Sequence, residues 1–133
     1  KTKPSGTTIL VVEDERSLRE VLRDKLMREG FSVLEAKNGE EVLALSLQNH
    51  PDLILLDIVM PKMEGMTMLR ELRKDREWGA HAPVVILTNL VEDDRRALEV
   101  METEPAYYLV KSEMTIQDVV EKIKQRLAAI PHG

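Results

Sequence analysis

Apolar residues recur along this chain in two alternating patterns: short unbroken runs, and stripes at helical spacing. The unbroken runs are Ile9–Val12, Leu53–Leu56, Val84–Leu87 and Tyr107–Val110, and Phe31–Ala36 reads as a further strand. A continuously apolar run of this length suits a strand buried on both faces. Between the runs, Leu18, Val21, Leu22 and Leu26 predict a first helix, and Val42, Leu43 and Leu47 a second. Leu69 and Leu72 mark a third, the segment Asp93–Met101 a fourth, and Ile116, Val119, Val120, Ile123 and Leu127 a fifth. The punctuation agrees with this division. Gly30 stands where a helix end favours the left-handed conformation, Asn38 can cap the second helix, and His50-Pro51 should stop it. The third helix is expected to start near Gly65–Met66, Pro83 opens a strand, and Thr115 with Asp118 forms a capping-box start for the last helix.

Strand and helix alternating from end to end indicate an α/β fold, with a parallel sheet covered on both faces. Right-handed crossovers and two-sided coverage are both met by a single doubly wound five-stranded sheet of order 2-1-3-4-5, the flavodoxin-like arrangement. Strands one and three are then central neighbours. Their carboxyl ends lie at the switch point where open α/β sheets bind ligands.

The residues at those ends carry the chemistry. The first run leads into Glu13 and Asp14, the run Leu53–Leu56 into Asp57, the run Val84–Leu87 into Thr88, and Tyr107–Val110 into Lys111. Converging carboxylates repel one another, so keeping them ionised together favours a bound cation. Oxygen ligands without nearby His or Cys suit Mg2+, held directly by Asp57 and one of Glu13 and Asp14. A carboxylate can also attack phosphorus, and Asp57, rigidly placed after a buried strand, is the best candidate nucleophile. Lys111 and Thr88 would supply an ammonium and a hydroxyl to phosphate oxygens. Singly, each residue has a plainer reading, as a helix-start acid, a loop-initiating Asp, a strand-end Thr or a solvated Lys. Their joint occurrence at four strand ends argues for the site.

At 133 residues the chain is about one domain long. It has no cysteine, which excludes disulfides, thiol catalysis and thiolate metal sites and fits a reducing compartment such as the cytoplasm. No apolar stretch reaches the roughly 20 residues that span a bilayer. With 24 acidic against 19 basic residues and a net charge of −5, direct nucleic-acid binding is disfavoured. The cluster Arg70, Arg73, Lys74 and Arg76 is interrupted by Glu71 and Asp75 and is expected to be a solvated helix face.

From about Thr8 to Leu127 the chain resembles the receiver domain of bacterial two-component response regulators. The resemblance is carried by Ile9-Leu10-Val11-Val12-Glu13-Asp14-Glu15, by Pro51–Pro61 around Asp57, and by Glu64-Gly65, Leu87-Thr88 and Tyr108-Leu109-Val110-Lys111. It implies a receiver over residues 8–130, preceded by a loose tail at 1–7 and lacking an output domain. It further implies that Glu13 and Asp14 are the metal-binding acidic pair, Asp57 the phosphoacceptor, and the Val59 backbone carbonyl a further Mg2+ ligand. Thr88 and Lys111 would contact phosphate, and Tyr108 would be the switch aromatic that turns inward as Thr88 moves. The readout face would comprise the fourth helix, the fifth strand and the fifth helix.

Such a protein is a phosphorylation switch rather than a turnover enzyme. Its partners would be a sensor histidine kinase or phosphotransfer protein and a downstream protein, with a homodimer on phosphorylation as one form and neither nucleic acid nor membrane bound directly. The alternative is a pseudo-receiver, an interaction module of the same fold that is never phosphorylated. A haloacid-dehalogenase type enzyme would need a second Asp at the place of Val59. A flavodoxin-like cofactor binder would need a phosphate-cradling loop where Glu13-Asp14-Glu15 stands.

Two positions depart from the family pattern. Ser112 follows Lys111 where a cis-linked Pro is usual, so this bond either stores strain or is trans with a rearranged loop. Glu104-Pro105 replaces a common Gly-Ala pair. Val59 and Leu90 are expected to flank the phosphate and hinder attacking water. The scattered His50, His81 and His132 are assigned no metal or acid–base role, Met60, Met63, Met66 and Met68 are read as packing residues, and Trp78 is placed at the opposite end of the sheet.

Overall fold

The structure, a computed structural model, describes residues 7–57, 65–89, 98 and 101–128. Five strands, β1 (Thr8–Val12), β2 (Ser32–Ala36), β3 (Leu53–Leu56), β4 (Val84–Thr88) and β5 (Tyr107–Val110), form one parallel sheet. Their order is β2-β1-β3-β4-β5, as the crossover argument requires. Helices α1 (Arg16–Arg28), α2 (Gly39–Asn49), α3 (Gly65–Arg73) and the C-terminal α4 (Ile116–Ala128) alternate with the strands. The helix expected over Asp93–Met101 lies largely outside the described residues; Leu98 and Met101 are helical and exposed. Among the described residues no helix is long and apolar enough to cross a membrane.

Strand side chains alternate between faces, so each buried strand feeds two cores. Leu10, Val12, Ile54, Leu56, Val84 and Ile86 pack with Met68, Leu69 and Leu72 of α3 and Val42 of α2. Ile9, Val11, Leu53, Leu55, Val85 and Leu87 pack with Leu22 and Leu26 of α1 and Val119, Val120 and Ile123 of α4. Met68 is thus a packing residue, while Met60 and Met63 lie outside the described residues.

The helix boundaries follow the residues that end them. Gly30, at φ 99°, closes α1: its amide bonds the Met27 carbonyl at 3.0 Å while the Phe31 amide reaches back to Leu26 at 3.1 Å. Asn38 Oδ1 accepts the Glu41 amide at 3.0 Å and caps α2, which ends in left-handed His50. Thr115 and Asp118 hydrogen bond reciprocally, each through a side-chain oxygen to the other's amide at 3.0 Å, and start α4. Past α3, Gly79 is held so close that a Cβ would lie 2.1 Å from the Leu72 carbonyl oxygen. The turn there admits no side chain. His50 stacks on Trp78 at 4.7 Å, which places the indole beside the start of β3, at the opposite end of the sheet from Asp57.

Three expectations are corrected. Val21 and Leu47, assigned to the apolar stripes, are 49% and 41% exposed. Each sits one residue, about 100° of helix rotation, from the true inward line, which runs through Leu22 and Leu26 on α1 and through Val42 and Ser46 on α2. Arg73, expected on a solvated face, is partly buried and donates to the carbonyls of Thr103, Gly79, Ala82 and Glu104. Lys74, Arg70 and Arg76 are exposed as expected.

Ser46 is fully buried, and its hydroxyl has no hydrogen-bond partner among the described residues. A buried orphan hydroxyl costs about 1–3 kcal/mol. Ser46→Ala, which keeps the volume nearly constant, is expected to raise stability by about 1 kcal/mol in urea unfolding. An unchanged midpoint would show that the hydroxyl is satisfied in solution.

Candidate functional site

Parallel register brings the predicted residues together. Val12 pairs with Leu56, so the next residues, Glu13 and Asp57, are neighbours at the ends of β1 and β3. The Asp57 amide donates to the Val12 carbonyl at 3.0 Å and the Glu13 amide to the Ala36 carbonyl at 3.2 Å, extending the ladders by one step past the strands. Leu56 pairs with Ile86, and Thr88, two residues further, ends β4 opposite Val110. Lys111 follows β5, and its long side chain reaches back across the sheet edge.

Glu13, Asp57 and Thr88 are buried, whereas Asp14 is exposed. The Lys111 ammonium lies 2.8 Å from Glu13 Oε1 and 2.9 Å from Asp57 Oδ2, joining the two buried carboxylates. Glu13 Oε2 accepts the Glu15 amide at 3.0 Å. Burial pushes the Glu13 carboxyl above its ordinary value; the bonds from Lys111 and the Glu15 amide pull against this, and the Asp57 charge adds to it. Burial pulls the Lys111 ammonium down, but its hydrogen bonds to Glu13 and Asp57 and their charges outweigh that, leaving it above its ordinary value.

Carboxylate oxygens of Glu13, Asp14 and Asp57 all lie within 4.8 Å of one another. One ammonium cannot neutralise three carboxylates, and a donor set made only of oxygen suits a hard divalent cation. The residues present therefore fit Mg2+. Val59, the expected carbonyl ligand, and Leu90 lie outside the described residues.

The Lys111–Ser112 bond is trans. Lys111–Glu113 form a short 3-10 turn, and the Ser112 amide, a donor that proline would lack, bonds Asn89 Oδ1 at 3.2 Å. This contact ties the loop after β5 to the residue following Thr88. Alternation places Thr88 and Tyr108 on the same face of neighbouring strands, with Tyr108 in register with Ile86 and packed against the core beneath α3. Tyr107 faces the other way, under the Lys122 ammonium at 5.1 Å. His50 and His81 lie in turns at the far end of the sheet, remote from the cluster.

The sequence reading overlooked two contributors. Asn89 is one, visible only as a polar residue after Thr88. Arg19 is the other: on the first turns of α1, it donates to the Glu13 carbonyl at 2.8 Å and to Glu35 at 3.3 Å.

Residues 9–124 match the family described as the response regulator receiver domain. The chain belongs to that family. This receiver is 36% identical over 121 residues to the transcriptional regulatory protein ResD of Bacillus subtilis, a match covering 91% of the chain and 48% of ResD. It is 42% identical over 84 residues to the probable transcriptional regulator ycf27 of Porphyra purpurea, covering 63% of the chain and 33% of that protein. The chain thus spans about a third to a half of the length of these curated relatives. A two-component response regulator from Clostridium difficile superposes with a TM-score of 0.83 at 25% identity, covering 95% of this chain and 99% of that one. The response regulator TrrA of Thermotoga maritima, solved in complex with Mg2+ and BeF, superposes with a TM-score of 0.76 at 34% identity, covering 90% and 97%.

Proposed function

We propose that this receiver is a Mg2+-dependent phosphoacceptor switch in two-component signalling, with Asp57 as the residue phosphorylated. The observation that carries the reading is the junction of Asp57, Glu13 and Lys111 at adjoining strand ends, with Asp14 within ligand distance. An Asp57 carboxylate oxygen attacks the phosphorus of a phosphohistidine or small phosphodonor. A phosphorus–oxygen bond to Asp57 forms as the bond to the donor breaks, and the electron pair leaves with the imidazole or carboxylate. Glu13, Asp14 and Asp57 would hold Mg2+, which when bound neutralises charge on the transferring group. Lys111, now on the carboxylates, is placed to bond a phosphate oxygen, and Thr88 to donate its hydroxyl to another. The TrrA complex supports this reading by analogy.

Phosphate contacts would favour one of two arrangements of the Thr88 and Tyr108 pair, which share a face on neighbouring strands. That shift would be read by a downstream protein on the face that includes β5 and α4, with homodimerisation as one readout. The donor would be a cytoplasmic histidine kinase or phosphotransfer protein, and the chain would act on itself rather than turn over a separate substrate.

Incubation with acetyl phosphate and MgCl2 tests this by intact mass. The wild type should gain one phosphoryl group, and neither Asp57→Ala nor the wild type in EDTA should gain any. Absence of label on the wild type would replace the proposal with the pseudo-receiver reading.

A further inference from the structure

We infer that Arg19 is a positioning residue for the acidic cluster, acting through the main chain between Glu13 and Asp14; this rests on the cation-binding reading above. Beyond β1 the chain leaves the sheet, and among the described residues no backbone amide donates to the Glu13 carbonyl. Arg19 does so instead, donating Nη1–H to that oxygen at 2.8 Å. Arg19 is itself held at both ends of the residue. Its backbone amide makes the first turn of α1 with the Glu15 carbonyl at 3.0 Å, and its Nε–H bonds Glu35 on β2 at 3.3 Å. Arg19 is well covered, its side chain only 16% exposed, and Glu35 is held in turn by Arg23 at 3.3 Å.

The Glu13 carbonyl belongs to the peptide unit that leads into Asp14. Orienting it therefore orients the Asp14 backbone. Glu13 needs little help, because its carboxylate is already held by Lys111 and the Glu15 amide. Asp14 differs. Its carboxylate is exposed and makes no hydrogen bond or ion pair with any described residue, yet an oxygen of it lies within 4.8 Å of those of Glu13 and Asp57. Only its backbone keeps it there, and Arg19 clamps that backbone from a neighbouring helix and strand. Outer residues that orient metal ligands typically change affinity by about 10–100-fold.

The sign of the effect separates positioning from charge. Removing a cation near a Mg2+ site should tighten binding by Coulomb's law alone; losing the clamp should weaken it. Calorimetric titration of the metal-free chain with MgCl2 is expected to show Arg19→Gln binding about 10-fold more weakly than wild type. Arg19→Lys keeps the charge but offers a compact ammonium in place of a fork, and should also bind several-fold more weakly. It serves as the measurement if Arg19→Gln does not fold. In the Asp14→Asn background, Arg19→Gln should add no further loss, a non-additivity that a merely structural role would not produce. Wild-type affinity in Arg19→Lys, tighter binding in Arg19→Gln, or full additivity with Asp14→Asn would overturn the inference. A wild type that binds no Mg2+ would overturn the cation-site reading and this inference with it.

Discussion

Lys111→Met is expected to destabilise the metal-free receiver by about 2–3 kcal/mol, and MgCl2 to restore more stability to the variant than to the wild type. Removing one partner of a buried ion pair costs about 3–5 kcal/mol when the other is left uncompensated, and partial exposure of Lys111 lowers that figure. Here one ammonium serves two carboxylates, Glu13 at 2.8 Å and Asp57 at 2.9 Å, and both are almost wholly buried. A divalent cation compensates the same charges, so its contribution should be larger where the ammonium is missing.

The pH dependence has a definite sign. Glu13 already lies above its ordinary value through burial, and without Lys111 it should rise further. A carboxyl that holds its proton more tightly when folded makes stability fall as pH rises from its unfolded to its folded pKa. The variant's deficit should therefore shrink as the pH is lowered from neutrality toward about 5. Lys111 contributes in the opposite range: its folded pKa is raised, so its contribution is complete at neutral pH and is lost only in strong alkali. Urea unfolding at several pH values, with and without MgCl2, measures all of this. Equal Mg2+ increments in the two proteins would mean that cation and ammonium do not serve the same carboxylates.

Arg73→Met should cost about 2–3 kcal/mol, with a fall in Tm of roughly 8–12 °C. The guanidinium donates to Thr103 at 2.9 Å, to Gly79 and Ala82 at 2.8 Å each, and to Glu104 at 3.4 Å. All four acceptors are main-chain carbonyls, two in the turns between α3 and β4 and two in the approach to β5. Methionine would keep the aliphatic packing but leave these oxygens without the charged donor. Glu104 adopts a left-handed φ of 57°, unfavourable for a residue with a Cβ, so the segment before β5 depends on such outside support. Arg73→Lys should recover only part of the loss, because one ammonium cannot serve four acceptors spread over both segments. Amide exchange should quicken in residues 101–106 more than in β1. Uniform quickening would place the role of Arg73 elsewhere.

These residues mark how far sequence reasoning reached. The central strands were readable because two-sided burial forces unbroken apolar runs, and β3 begins and ends where its run does; the half-buried edge strand β5 also coincides with its run, whose aromatic and branched residues suit a strand. Caps at Asn38, Gly30 and Thr115 were readable because they answer to local backbone chemistry. Helix faces were blurred by one position at Val21 and Leu47. A short apolar stripe leaves its centre ambiguous, and on α2 the inward line passes through Ser46, a polar residue that pattern alone assigns outward.

Order of elements, strand polarity and the identity of the strand-end residues were thus determined by the sequence itself, because burial and capping act over a few neighbouring positions. The tertiary structure decided what each charged side chain meets. Lys111 finds carboxylates 54 and 98 positions away, Arg73 finds carbonyls 30 positions on, and Arg19 turns to the Glu13 carbonyl rather than to solvent. Such contacts follow from sheet order and register, which bring distant stretches of chain to one edge, and a long flexible side chain carries no local sign of the partner it will reach.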